Sequence, residues 1–276
     1  MRLFWLILLL ALPVSTVWGQ QLSGDSSSMV AGHTLASPAS PGGGGNGGHG
    51  TPASAEEHTA PFSGLAVGVK VGLLGVGVEA ATPLASTLNL RAGGNFFGYS
   101  DNLTHDQVHY DADLRFRSAE ASLDWFPGAH GFHVSPGALL YNGNKIAATA
   151  AVSGGTTFTL NNVRYLSDAA NPVTGSGSLT FNKAAPKVTV GFGNMIPRSG
   201  RHISFPLELG VAYAGKPKVA LNLMGTVCDP SGLNCTTIGA SSAVQANVAG
   251  EQTKISHDVA PARFYPLLSL GVAFSF

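Results

Sequence analysis

The chain has little charge: Lys, Arg, Asp and Glu make up 11% of its 276 residues, and 15 basic residues cancel 15 acidic ones. With no net positive field, nucleic acid is excluded as an expected partner. Cysteine is almost absent. Cys228 and Cys235 are close enough in sequence to close a small loop by a disulfide, which suits them better than metal binding or catalysis. Beyond the first residues there is also no uninterrupted apolar run of the roughly 20 residues that a membrane-crossing helix needs. Yet the mean hydropathy is positive, and 36 residues are glycine. High apolarity without a spanning helix calls for another architecture.

The amino terminus has its own logic. Met1 and Arg2 precede an apolar run from Leu3 to Val14 and a polar exit from Ser15 to Gly19, the layout of a secretory signal peptide over residues 1–19. Val17 and Gly19 place cleavage near Gln20. The alternative, an uncleaved membrane helix, has too short an apolar stretch. No cysteine follows that could carry a lipid anchor. Residues 20–61 are Ser, Gly, Pro, Ala and His, with Gly42 to Gly45 unbroken, and read as a disordered tether. His33, His49 and His58 lie in or near this stretch without ligand spacing. No metal and no cofactor is expected.

From Phe62 to Phe276 apolar residues alternate with small or polar ones, the period of strands whose faces meet different surroundings. Leu268, Leu270, Val272, Phe274 and Phe276 share one face of the last segment, and Ser269, Gly271, Ala273 and Ser275 the other. In a soluble sandwich the apolar face would be core; in a transmembrane barrel it faces lipid. The stretch from Ile203 to Tyr213 discriminates better, because its uninterrupted apolar face matches the 9 to 11 tilted residues that cross a bilayer. Gly64, Gly68 and Gly72 have the spacing that packs membrane helices, but Lys70 and the valines at 67, 69 and 71 favour a strand.

Eight strands follow, near 65–72, 75–81, 88–99, 110–125, 132–145, 179–193, 202–221 and 263–276. The apolar phase slips between Val71 and Val76, which puts a turn at Leu73 and Leu74. Longer connections at 100–109, 146–178 and 222–262 alternate with shorter ones, as external loops alternate with periplasmic turns, the turn at Leu73 and Leu74 being an unusually short external exception. The expected fold is all-β, a transmembrane antiparallel up-and-down barrel of about eight strands, in the outer membrane of a Gram-negative bacterium. Its expected partners are outer-membrane lipid and the barrel-assembly machinery, with Phe274 and Phe276 at the membrane-insertion terminus.

Several pieces carry a resemblance: Tyr110-Asp111-Ala112-Asp113-Leu114, Leu140 through Lys145 (LYNGNK), Ala185-Pro186 followed by Gly191-Phe192-Gly193, Gly215-Lys216-Pro217-Lys218-Val219, and Tyr265-Pro266. In this order and spacing the chain resembles the eight-stranded outer-membrane barrels of the CarO-type porin group. The resemblance implies an outer-membrane barrel and the uptake of small solutes such as basic amino acids. It transfers no binding residues, and the Gly/His tether and the cysteine pair depart from it.

On these strands the inward charges are Lys70, Glu79, Arg91, Asp113, Arg115, Arg117, Glu120, Asp124, Lys187 and Glu208. The phase of the fourth strand changes near Arg117 and Ser118, which suggests a bulge. Eight strands enclose a space that side chains can fill, where opposite charges should pair. The leading expectation is a plugged, ion-paired barrel with a structural or surface-contact role. The alternative is a narrow porin-like path for small solutes. A third reading, a membrane-embedded enzyme, rests on Ser100, Asp101, His105, Asp106 and His109, whose spacing matches no triad. The chain is not expected to be an enzyme.

Overall fold

Alternation over most of the chain produces strands, and the strands close on themselves. The computed structural model describes residues 60–105, 107–128, 131–197 and 201–276; the expected signal peptide and nearly all of the expected tether lie outside them. Eight strands form an antiparallel barrel: β1 (Ala66–Gly72), β2 (Gly75–Ala85), β3 (Leu88–His105), β4 (Val108–Trp125), β5 (Phe132–Asn142), β10 (Ala185–Phe192), β12 (Leu207–Tyr213) and β16 (Phe264–Ser275). Each pairs with the next, β16 pairs with β1, and β4 with β5 completes the ring. A two-residue strand, β11 (Ile203–Ser204), adds to β16 below β12. The β1–β2 turn falls at Leu73 and Leu74, with Gly75 at a φ of 100° that few other residues adopt.

The outer face is apolar. Val67, Val69 and Val71 on β1, Leu207 and Leu209 on β12, and Leu268, Leu270 and Val272 on β16 are all exposed. At the end where β1 begins and β16 finishes, an aromatic fringe includes Trp125, Phe132, Phe192, Phe205, Phe274 and Phe276.

The segments read as long loops are folded. Three wall strands break and then resume beyond the barrel: β5 continues as β6 (Lys145–Val152), β12 as β13 (Lys218–Met224), and β9 (Thr174–Thr180) runs down into β10. The resumed strands pair in the order β4, β6, β9, β13, so this part of the wall rises into a second sheet. A smaller sheet of β7 (Thr157–Leu160), β8 (Val163–Ser167), β14 (Thr226–Cys228) and β15 (Cys235–Thr237) joins a helix, α1 (Ser242–Asp258), in the same region. The Ser241 hydroxyl caps α1 by accepting from the Val244 amide. Val244 and Val248, one turn apart, are buried with Val108, Val152, Leu160, Val173, Val227 and Ile238. This core is separate from the barrel interior, and we call the unit the cap.

Cys228 and Cys235 are disulfide-bonded and face each other across β14 and β15. Within their loop Asp229 accepts from the Ser231 hydroxyl, the Asn234 amide and the Leu233 backbone. These bonds hold its carboxyl well below the usual carboxylate range, Ser231 contributing most. The turn therefore keeps them at neutral pH and loses them only as pH falls into strong acid. Closing so short a loop is worth about 2 kcal/mol. The double substitution C228S/C235S is expected to leave the heat-dependent gel migration of the barrel unchanged while subtilisin cuts the cap faster. Equal cutting of both forms would show that the bond contributes nothing to cap stability.

Candidate functional site

The barrel interior is the first place to look for chemistry, because seven charged side chains are buried in it: Lys70, Glu79, Arg91, Glu120, Asp124, Lys187 and Glu208. Strand alternation puts them there, each on the face opposite the exposed valines, leucines and aromatics of its own strand. Two hubs organise them. The Arg91 guanidinium on β3 reaches Glu79 on β2 at 3.3 Å, Asp124 on β4 at 2.9 Å, and Glu208 on β12. Glu120 on β4 receives Lys70 from β1 and Lys187 from β10, and Lys70 also lies 3.1 Å from Glu79.

Further polar groups complete the shell. Asn95 donates to Glu120 at 3.0 Å and to Ser118 at 3.2 Å, the Ser135 hydroxyl donates to Asp124 at 2.7 Å, and His133 Nε2 lies 3.3 Å from Glu208. Three cations thus face four carboxylates, with an imidazole against the fourth. Only Arg91 Nε, Thr189 Oγ1 and Ser204 Oγ are buried without a partner among the described residues.

Apolar layers lie on either side of the charges. Towards the cap, Leu74, Leu139, Leu267 and three alanines pack together with Phe181 and Tyr265 against them. The Tyr265 hydroxyl donates to the Leu73 carbonyl at 2.7 Å, and the ring meets Phe116 edge-on. At the other end Met195 is buried among Ala66, Ala81 and Ala273, with Ile196 alongside. Asn194 holds this segment in place by accepting from the Asn89 amide and the Ile196 backbone, both at 2.9 Å. Between the layers a cavity bordered by Lys70, Glu120, Lys187 and Thr189 has a volume of about 20 Å³, room for about one water.

Three of the ten expected lumenal charges lie elsewhere. Arg115 and Arg117 are exposed and Asp113 is partly exposed, all on the outer face, with Asp113 bound to Arg115 at 2.7 Å. The reason is that β4 keeps one phase: Leu114, Phe116, Ser118, Glu120, Ser122 and Asp124 are all buried. What changes near Arg117 is the chemistry of the faces, not the register with β3, which runs unbroken from Leu88 opposite Trp125 to His105 opposite Val108. The irregularity lies in the pairing with β5, where Ala119 faces Tyr141 and Glu120 faces Leu139, leaving Leu140 as the extra residue.

Sequence reasoning missed His133, Ser135 and Asn95. Their inward parity beside Phe132, Val134 and Phe96 is the signal that marks them, although none is a Lys, Arg, Asp or Glu.

Among the described residues, Ser100, Asp101 and His109 do not come together as a nucleophile and base; the His105 side chain is not described. Ser100 and Asp101 are neighbours on β3 and point to opposite faces. His109 Nδ1 pairs with the Thr104 hydroxyl, and its Nε2 is 3.4 Å from Asp111. Asp106 lies outside the described residues. Among the described residues the potential metal donors that gather are Asp168, Cys228 and Cys235, and the disulfide occupies both sulfurs.

The architecture has solved counterparts. Acinetobacter baumannii CarO aligns over 79% of this chain and 98% of its own, at 24% identity and a TM-score of 0.50. CarO2 of the same organism aligns over 79% and 100%, at 23% identity and a TM-score of 0.51. The chain folds like CarO. At this identity the likeness concerns the fold. No protein-family model and no curated protein matches the sequence.

The interior predicts its own mutational signature. Arg91→Met removes the cation shared by Glu79, Asp124 and Glu208 and leaves Asp124 without a positive partner, and breaking a buried pair costs about 3–5 kcal/mol. Arg115→Gln on the outer face should change stability by no more than about 0.5 kcal/mol. Urea titration of the two variants, read by tryptophan fluorescence, should separate them clearly; coincident midpoints would contradict the placement of Arg91.

Proposed function

We propose that this protein is an integral barrel of a bacterial outer membrane, whose closed, ion-paired lumen serves as a rigid stem presenting the cap at the cell surface. One observation carries the membrane part of the reading: the outer wall is apolar all round, on β1, β2, β10, β12 and β16 alike. A soluble protein does not leave so continuous an apolar surface in water. The band also has the right height. On β3 the outward positions run from Leu88 to Phe96, nine residues, against the roughly 9 to 11 tilted residues of a transmembrane strand. Phe96 then faces Arg117 across the sheet, and the outward positions beyond it are Gly98, Ser100, Asn102 and Thr104. The start of β1, the end of β16 and the connections that carry no part of the cap, β2 to β3, β4 to β5 and β10 to β12, share one end, which supports reading that end as periplasmic and the cap as external.

The stem role rests on the contents of the lumen. An ion-paired layer between Met195 on one side and Leu74, Leu139 and Leu267 on the other leaves a cavity of about 20 Å³. A solute path would need both apolar layers to part and the pairs of Arg91 and Glu120 to open. The cap, with its own core and disulfide, is the part free to contact other molecules.

Purified in detergent, the protein should migrate faster on a gel before boiling than after it, and should give no conductance steps in planar bilayers. Steps altered by Glu120→Gln or Arg91→Met would replace the stem with a narrow channel. A monomer that stays soluble without detergent and shows no heat shift would remove the membrane reading itself.

A further inference from the structure

The three breaks in the wall fall at one level, and cations collect there. β4 contributes Arg115 and Arg117; Lys145 opens β6; Lys183 sits between β9 and β10; Lys216 sits between β12 and β13, and Lys218, beyond Pro217, opens β13; Arg263 immediately precedes β16. All seven are exposed, out of 15 Lys and Arg in the entire chain.

Backbone hydrogen bonds tie these positions together around the rim. Gly143 donates to the Arg117 carbonyl, Asn142 to Lys183, Asn182 to Ala214 and Ala214 to Arg263. Gly215 sits at a φ of 70°, a conformation that L side chains rarely adopt, so the bend that turns Lys216 outward favours glycine.

Part of the belt is a single cross-strand row. Arg115 is opposite Lys145, Lys145 opposite Thr180, and Thr180 opposite Lys218. Opposed residues share a face, so three cations line one face of four adjacent strands, across about 14 Å at the usual strand spacing. Like charges directly opposite one another are destabilising. Asp113 answers Arg115. Among the described residues no salt bridge answers Arg117, Lys145, Lys183, Lys216 or Lys218.

The surroundings define what would. On the barrel side the outward surface is apolar and partly aromatic, with Phe96, Tyr141, Tyr213 and Phe264 exposed and Arg263 5.4 Å over the Phe264 ring. On the cap side the next outward rows carry Asp113, Ser178 and Asn222. A line of cations between an apolar band and a water-facing sheet lies where lipid headgroups lie. We propose that this belt binds the phosphate groups of a phosphorylated glycolipid of the external leaflet, its acyl chains lying on the apolar wall directly below. The proposal rests on the outer-membrane reading. A soluble phosphate lacks the apolar half of the ligand and is not the occupant intended.

The test uses the full chain in neutral-detergent micelles, offered bisphosphorylated lipid A or the same lipid with its phosphates removed, and bound lipid is counted by native mass spectrometry. The wild type should retain the phosphorylated form preferentially, and added salt should weaken retention. R115Q/K145Q/K218Q should retain it on the order of 100-fold less well, whereas Arg201→Gln, at the other end of the barrel, should match the wild type. Heat-dependent migration is measured on each sample. If it persists while the two lipids bind equally, or while the triple variant binds like the wild type, the belt proposal fails and the membrane barrel stands. If the wild type shows no heat shift, the membrane reading fails first. Should the triple variant not fold, Lys145→Gln alone and the salt titration of the wild type decide: no loss in either overturns the proposal. Competition by millimolar inorganic phosphate as effective as that by lipid A would overturn the lipid assignment.

Discussion

Arg91 is buried in the lumen, so its charge must be answered inside the wall. The counter-charges come from β2, β4 and β12, so one guanidinium ties its own strand to two neighbours and to a strand across the lumen. Glu120 does the same for β1 and β10, and β5 joins through His133 and Ser135. Ladder hydrogen bonds alone would tolerate a strand sliding by two residues. The charges would not, because each slip carries a buried ion away from its partner. Register, closure and the filling of the lumen thus depend on the same few contacts.

The rest follows from solving a two-solvent problem in one wall. Alongside the charge layer the outside is apolar and the inside polar. Past Ser118 the preference reverses on β4 without any change of register: Leu114 and Phe116 close the interior while Arg115 and Arg117 point outward. A strand that passes from one environment to another keeps its geometry and exchanges the chemistry of its faces.

That reversal also explains what could be read in advance. Strands beside a uniform environment were legible, as in Ile203 to Tyr213, where every second residue is apolar. The eight barrel strands, the turn at Leu73 and Leu74, and seven of the ten lumenal charges are visible by parity alone. On β4 two valid phases met, and the odd one was followed into Asp113, Arg115 and Arg117. The cap was opaque for a different reason. β6 and β9 are built largely from Ala, Thr, Gly and Ser, whose alternation says little about burial, and α1 buries just two valines, Val244 and Val248, in seventeen residues. The core holding those pieces together draws on distant segments, from Val108 to Val248. The pieces that carried the family resemblance, Asn142 to Lys145 and Gly215 to Val219, turn out to be the breaks in the wall, where turn-forming and basic residues are needed at particular positions.

Because the cap is made from continuations of the wall strands, the two are mechanically in series. A tug on the cap by anything attached to it runs along β3 and β4, through the breaks into β5, β10 and β12, and from α1 into β16, parallel to the strand axes. The inter-strand hydrogen bonds of the barrel are then loaded together in shear instead of being unzipped one at a time. The side of the rim formed by β1 and β2 ends at a two-residue turn and carries none of this load. Under tension the barrel would be pulled from one arc of its circumference, and its resistance would come from the strands that also hold Glu120, Lys187 and Glu208.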